Sequence, residues 1–313
     1  MRSRLMQVLV GLVWLPSAAL AQHALIPNFG APTLSLVDVN KMEVAATIDT
    51  APGIIGIAMA TDGRTAYLTN PSTHSLSVLD VASQKIIRRI PLVGGPIGVV
   101  VDPNRSVVYA TDSDNAKVYA IDPSNSGVLA SADTGKYPFG LAISPDGKSL
   151  ISADRDDNRV TIIDTADMRK TDVVRVRQSP MGVAIDKDGL RAFVANSAAN
   201  NVSVIDIASR QIVGGINVGK TPVAVALTAT RGFVSNKDDN TVSVFDLASL
   251  QVLSQVKVCD APYGLAASKD GAHLYIACSG SNEMASMDTQ TFRINAQVAT
   301  GPKPQALGNF VAP

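Results

Sequence analysis

Apolar and polar residues alternate along this chain in short runs, and the runs recur. The pattern apolar-x-apolar-x-Asp ends at Asp38, Asp80, Asp122, Asp164, Asp206, Asp246 and Asp288, with successive spacings of 42, 42, 42, 42, 40 and 42 residues. Gly followed by apolar residues stands ahead of these runs at Gly56, Gly98, Gly140, Gly182 and Gly264, and Ala224 takes that place in the shortened repeat. Pro96, Pro138, Pro180, Pro222 and Pro262 each lie two residues before that marker. Alternation with a period of two over five or six residues is that of a half-buried strand, and no segment sustains a helical period.

Each repeat predicts four strands. In one unit they fall at 181–186, 191–196, 202–206 and 211–218. Asp-Gly supplies the positive φ of a tight hairpin at Asp62-Gly63, Asp146-Gly147, Asp188-Gly189 and Asp270-Gly271. Four strands in about 42 residues is the signature of a β-propeller blade. The pattern therefore predicts an all-β, seven-bladed propeller, with blades at about 51–92, 93–134, 135–176, 177–218, 219–258 and 259–300. The chain starts mid-repeat at 23–28 and ends after one strand opened by Pro304 and Ala306. The last blade, 301–313 with 22–50, is thus expected to be closed by both termini.

Residues 1–21 read as a secretory signal peptide: Arg2 and Arg4, an apolar run from Leu5 to Leu15, and Ala19-Leu20-Ala21 before Gln22. Export to the periplasm or the medium follows, with no membrane span after cleavage. The mature chain would hold 292 residues (313 − 21) and no tryptophan, since Trp14 leaves with the signal.

AYLTN at 66–70, FVAN at 193–196 and FVSN at 233–236, with Pro-x-Gly upstream and VSVID downstream, resemble the YVTN-repeat, YncE-like β-propellers. The resemblance covers the whole mature chain, and its motifs are specific for fold and weak for function. It implies relatives that include exported proteins of unknown role, a periplasmic binder of single-stranded DNA, and propeller subunits beside quinone and cytochrome enzymes. Seven-bladed lactonases are more distant kin.

Composition narrows the chemistry. Acidic residues number 27, of which only Glu43 and Glu283 are glutamate, and the three histidines, His23, His74 and His273, have no ligand spacing. No metal, catalytic set or cofactor is expected: Cys-x-x-Cys-His, a Gly-rich phosphate loop and a Gly-x-Ser-x-Gly elbow are all missing. Lys+Arg falls to 25 after cleavage, so the net charge is 25 − 27 = −2, which disfavours nucleic acid as a partner. The recurring aspartates cap the turns that follow them. The Asn or Asp at the second-strand ends (Asn28, Asn70, Asp112, Asp154, Asn196, Asn236) either cap loops or form an ion-binding ring. Cys259 and Cys278 fall at strand ends on one face; a disulfide is expected, with two buried thiols as the alternative.

In a propeller, the connections from fourth to first strand and from second to third strand share one face around the channel mouth. Lys136, Lys220 and Lys303 precede first strands there, Tyr137, Phe139 and Tyr263 add aromatic surface, and Arg155 and Lys237 come from the facing loops. The expected function is that of a monomeric, non-enzymatic binding or scaffold protein presenting this rim to a protein or small anionic ligand. A lactonase-like hydrolase, a single-stranded DNA binder and an accessory subunit of a periplasmic redox enzyme remain the alternatives.

Overall fold

The repeated runs become strands of seven antiparallel sheets set around one axis. The structure is a computed structural model that describes residues 22–312; the expected signal peptide lies outside the described residues. Six sheets have four strands in sequence order, as in blade 3: Pro138–Ile143, Ser149–Asp154, Arg159–Asp164 and Arg169–Arg175. Each inner strand runs from the face carrying the inter-blade links (here the upper face) to the face carrying the Asp-Gly hairpins (the lower face). The hairpin glycines have φ of 65° at Gly63, 74° at Gly147, 71° at Gly189 and 70° at Gly271.

The second and third strands of every blade are buried almost throughout, and the outer strands face solvent. Apolar side chains from neighbouring blades meet between the sheets, as Phe193, Val202 and Val204 of blade 4 meet Val234 and Phe245 of blade 5. Close approach at the axis explains the small inner-strand marker. A Cβ added at Gly140 or Gly182 would collide with the carbonyl of Met181 or Val223 in the next blade.

Blade 7 departs from the expected pattern in detail. His23–Asn28, Thr33–Asp38 and Glu43–Asp49 form a three-stranded sheet. Residues 304–311 lie beside it through the isolated bridges Asn28↔Pro304 and Ala24↔Val311, not as a continuous fourth strand. The segment is shared between two partners. Leu25 N–H donates to Phe310 O at 2.8 Å, whereas Ile57 and Met59 of blade 1 donate to Leu307 O at 2.9 Å and Asn309 O at 2.8 Å. Divided pairing, with Gly308 at φ 113°, interrupts the regular ladder.

Candidate functional site

The upper face is built from a strained turn repeated around the ring. In five blades the residue before the inner-strand proline has positive φ: 52° at Tyr137, 54° at Ser179, 54° at Thr221, 48° at Ala261 and 52° at Lys303, whereas Gly95 before Pro96 does not. Proline disfavours the helical regions for the residue before it, and a β-branched residue such as Thr221 is an outlier there. An asparagine in the preceding loop holds most of these turns. The Oδ1 of Asn158, Asn200, Asn240 and Asn282 accepts the N–H of Ser179, Thr221, Ala261 and Lys303 at 2.9, 3.0, 2.9 and 2.8 Å. Carbonyls of the turn residues then fix the next loop, since Arg155 N–H donates to Tyr137 O at 3.1 Å and Lys237 N–H to Thr221 O at 3.0 Å.

The residue between Pro and Gly lies at the axis. In blades 2, 3 and 6 its carbonyl is held by a hydroxyl of the previous blade: Ser235 Oγ donates to Tyr263 O at 2.7 Å and accepts Ala224 N–H at 3.0 Å. Thr111 serves Phe139 in the same way, with a longer 3.4 Å bond. Ile97, Phe139 and Leu307 pack together with Ile55, Tyr137 and Met181 against them. This cluster lies across the upper end of the axis, so the expected channel mouth is capped by side chains. Below it, a cavity of about 370 Å³ is lined by the inner strands from Gly98, Gly140 and Gly182 downward.

Beside the cap lies a separate depression of about 400 Å³. Phe139, Met181, Val223 and Tyr263 supply its apolar surface, and Arg155, Lys237, Ser179, Ser197 and Thr221 its polar one. No carboxylate, histidine or cysteine lines it. Arg155 lies 5.1 Å from the Tyr137 ring centroid, and its Nε is 3.8 Å from Asp156. Lys237 Nζ is 3.9 Å from Asp238. Exposed pairs this loose hold little energy, so both cations are free to turn to a ligand. Burial pushes the Tyr263 phenol up to about 12, which keeps it a donor at neutral pH. Among the described residues it has no hydrogen-bond partner.

The depression therefore unites four of the expected site residues: Phe139, Arg155, Lys237 and Tyr263. Tyr137 belongs to the axial cap, its ring 6.5 Å from that of Phe139. Lys136, Lys220 and Lys303 are exposed on the same face outside the depression. Lys220 Nζ is 4.0 Å from Asp239, which also accepts the Lys220 N–H at 2.6 Å. Lys303 is not the counterpart of the other two lysines: it directly precedes its proline, as Tyr137 does, and Pro302 holds the place of Lys136. Met181 and Val223 are not singled out by the sequence pattern, although each directly follows an inner-strand proline.

The Asn/Asp ring turns into its own blades. Asn196 Nδ2 donates to Asn201 and Ser203 at 2.9 Å, and Asn70 Nδ2 to Pro52 O at 2.7 Å. Asp154 accepts Gly135 N–H at 2.8 Å, Thr161 Oγ1 at 2.6 Å and Ser152 Oγ at 2.9 Å, with Arg159 Nε 3.5 Å away. Burial raises its pKa, against those bonds and the arginine. In blade 6 the ring position is Cys278, joined to Cys259 in a disulfide. Cys259 stands where blades 3, 5 and 7 have Gly135, Gly219 and Gly301, whose missing side chains make room for Asp154, Asn236 and Asn28.

Comparison with known proteins agrees with this architecture. Residues 101–231 match the model of the family described as YNCE-like beta-propeller. A chain of Kuenenia stuttgartiensis hydrazine synthase superposes with a TM-score of 0.73 at 22% identity, covering 82% of this chain and 89% of that one. A functionally unknown protein from Desulfotomaculum acetoxidans superposes with a TM-score of 0.78 at 16% identity, covering 93% and 98%. Among curated proteins none matches. At these identities the two structures speak to the fold alone. The chain is a seven-bladed β-propeller whose residues 101–231 match the YNCE-like beta-propeller family.

Proposed function

We propose that this is an exported, non-enzymatic binding protein whose upper face takes a small anionic ligand with an apolar body. One observation carries the reading: Arg155, Lys237 and the Tyr263 phenol converge on an apolar floor, and no carboxylate lines the depression with them. A ligand carboxylate or phosphate would gain charge-assisted bonds from both cations. Its apolar body would cover Phe139, Met181 and Val223. The sequence of residues 1–21 supports export, and N-terminal sequencing of the protein from its host should then begin at Gln22.

Ligand-observed NMR with a panel of aliphatic and aromatic carboxylates and phosphates tests the site. Arg155→Ala with Lys237→Ala should weaken a bound anion by tenfold or more, the scale of one to two charged hydrogen bonds. Tyr263→Phe should weaken it less. An anion that binds the double variant as tightly as the natural protein overturns the assignment.

A second reading, a subunit of a larger redox enzyme, is favoured by apolar pairs exposed on the outer strands: Val128 with Leu129, Ile212 with Val213, and Val252 with Leu253. The hydrazine synthase neighbour is named as an enzyme. Cross-linking in the native host would recover a stoichiometric enzyme partner under this reading and none under the first.

A further inference from the structure

The lower face repeats one contact between blades three times. Arg105 of blade 2 donates to Thr165 O of blade 3 at 3.4 Å, Arg191 of blade 4 to Leu247 O of blade 5 at 2.7 Å, and Arg231 of blade 5 to Thr289 O of blade 6 at 2.5 Å. Each acceptor directly follows the aspartate that ends a third strand. Each guanidinium also meets an aromatic side chain. Arg105 lies 2.6 Å from Tyr109 Oη, Arg191 5.3 Å from the Phe193 centroid and Arg231 5.1 Å from the Phe292 centroid. Asp102 and Asp186 pair with the first two at 2.8 and 3.1 Å. The fold thus builds a receptor for a guanidinium at the junction of two blades and fills it from within.

Between blades 1 and 2 the receptor is present and its arginine is missing. By repeat spacing, Gly63 and Thr65 stand where Arg105 and Arg191 stand elsewhere; glycine has no side chain, and Thr65 is too short to span the junction as an arginine does. A groove of about 540 Å³ remains, lined by Tyr67, Pro123 and Asp62 among others. Pro123 follows Asp122, so its carbonyl is the counterpart of Thr165 O and Leu247 O. Tyr67 is the counterpart of Tyr109 and Phe193. It is only 8% exposed, and among the described residues its phenol has no hydrogen-bond partner. Val78, Val101 and Ile87 supply apolar wall for a stem.

The charges in the groove leave one carboxylate over. Arg105 is taken by Asp102, and Arg88 crosses the rim to Ser124 O and lies near Asp122. Asp62 accepts the N–H groups of Arg64 and Thr65 at 2.8 and 3.3 Å through Oδ1. It forms no ion pair among the described residues. We propose that the groove between blades 1 and 2 receives the arginine side chain of a partner protein, its guanidinium meeting Pro123 O, the Tyr67 phenol and Asp62. This site lies on the face opposite the anion depression and stands independently of it.

The probe is n-butylguanidinium, with n-butylammonium and butyrate as comparisons, followed by saturation-transfer NMR on the protein from Gln22. Butylguanidinium should bind at one site and more tightly than either comparison. Thr65→Arg should abolish that binding while raising the thermal midpoint, because it supplies the missing tie from within. Tyr67→Phe, which keeps the buried ring in its core contacts, and Asp62→Asn, at the exposed rim, should each weaken binding by about tenfold, the effect of one hydrogen bond or charge contact. The proposal fails if Thr65→Arg binds butylguanidinium like the natural protein. It also fails if butyrate is the preferred probe and Arg88→Ala removes it, since the groove would then be an anion site.

Discussion

Asn282 Oδ1 accepts the backbone N–H of Lys303 at 2.8 Å, and this bond ties blade 6 to the segment that completes blade 7. Asn282 itself has φ 58°, a conformation asparagine tolerates better than most residues. Asn282→Ala should cost about 1–2 kcal/mol, from the lost bond and the strain of alanine at that φ. Asn282→Asp keeps the acceptor and should recover most of it. Urea denaturation of the two variants makes the comparison; equal loss in both would show that the acceptor contributes nothing.

The disulfide replaces a contact that other blades make through glycine and asparagine. It closes a sequence separation of 19 residues. Its removal should cost about 3 kcal/mol on the loop-entropy scale. Cys259→Gly with Cys278→Asn copies the Gly219 and Asn236 pair and should be more stable than Cys259→Ala with Cys278→Ala. Thiol titration of the unreduced, denatured protein should find no free cysteine.

Asp154 makes the pH dependence of stability unusual. Burial raises its folded pKa above the ordinary 3.8, so the folded state holds the proton more tightly than the unfolded state does. Stability from this group therefore falls as pH rises from 3.8 through the raised value. Asp80, Asp206 and Asp246 act in the opposite sense: bonds from Ser83, Ser209 and Ser249 lower their values, and that stability is lost as pH falls below 3.8. Asp154→Asn, the residue blades 4 and 5 carry, should flatten the first limb of a stability–pH profile and leave the second. An unchanged profile would show that Arg159 and the three hydrogen bonds fully offset burial.

The exposed rim lysines should influence the rate at which an anionic ligand arrives. Lys136→Ala, Lys220→Ala and Lys303→Ala together remove three charges from the upper face and should slow association with little change in thermal midpoint. Arg64, Lys148 and Lys187 make the matching set on the lower face; Arg191 is unsuitable there because it holds blades 4 and 5 together. Stopped-flow rates at low and high salt should separate the two sets at low salt only.

The blade count and strand order were legible because the same short alternations return at a nearly fixed spacing and four of the inner hairpins carry Asp-Gly. Turn chemistry was legible too: Asp206 Oδ1 accepts Ser209 N–H at 2.7 Å, as its place before Ile-Ala-Ser predicts. Residues that act across blades were harder to read. Asn158, Asn200, Asn240 and Asn282 recur six residues before the strand-end aspartates, yet their role depends on a turn 21 residues later. Met181 looks like an ordinary strand residue until the ring brings it beside Phe139. Lys303 reads as a third rim lysine until the register shows Pro302 in that place.

The segment 304–311 gives the molecule a particular order of assembly. Blades 1 to 6 are stacks of local hairpins, but the Asn28↔Pro304 bridge joins positions 304 − 28 = 276 residues apart. Loop entropy grows only logarithmically with such a span, whereas closure over it is slow. Refolding is therefore expected to pass through an open ring, with the edge of His23–Asn28 unpaired and residues 304–311 free. At high concentration that segment is expected to enter the seam between blades 7 and 1 of another copy, making the same hydrogen bonds in trans. Strand-exchanged dimers should accordingly accumulate when the protein is refolded at high concentration, and dilution of the closed monomer should not produce them.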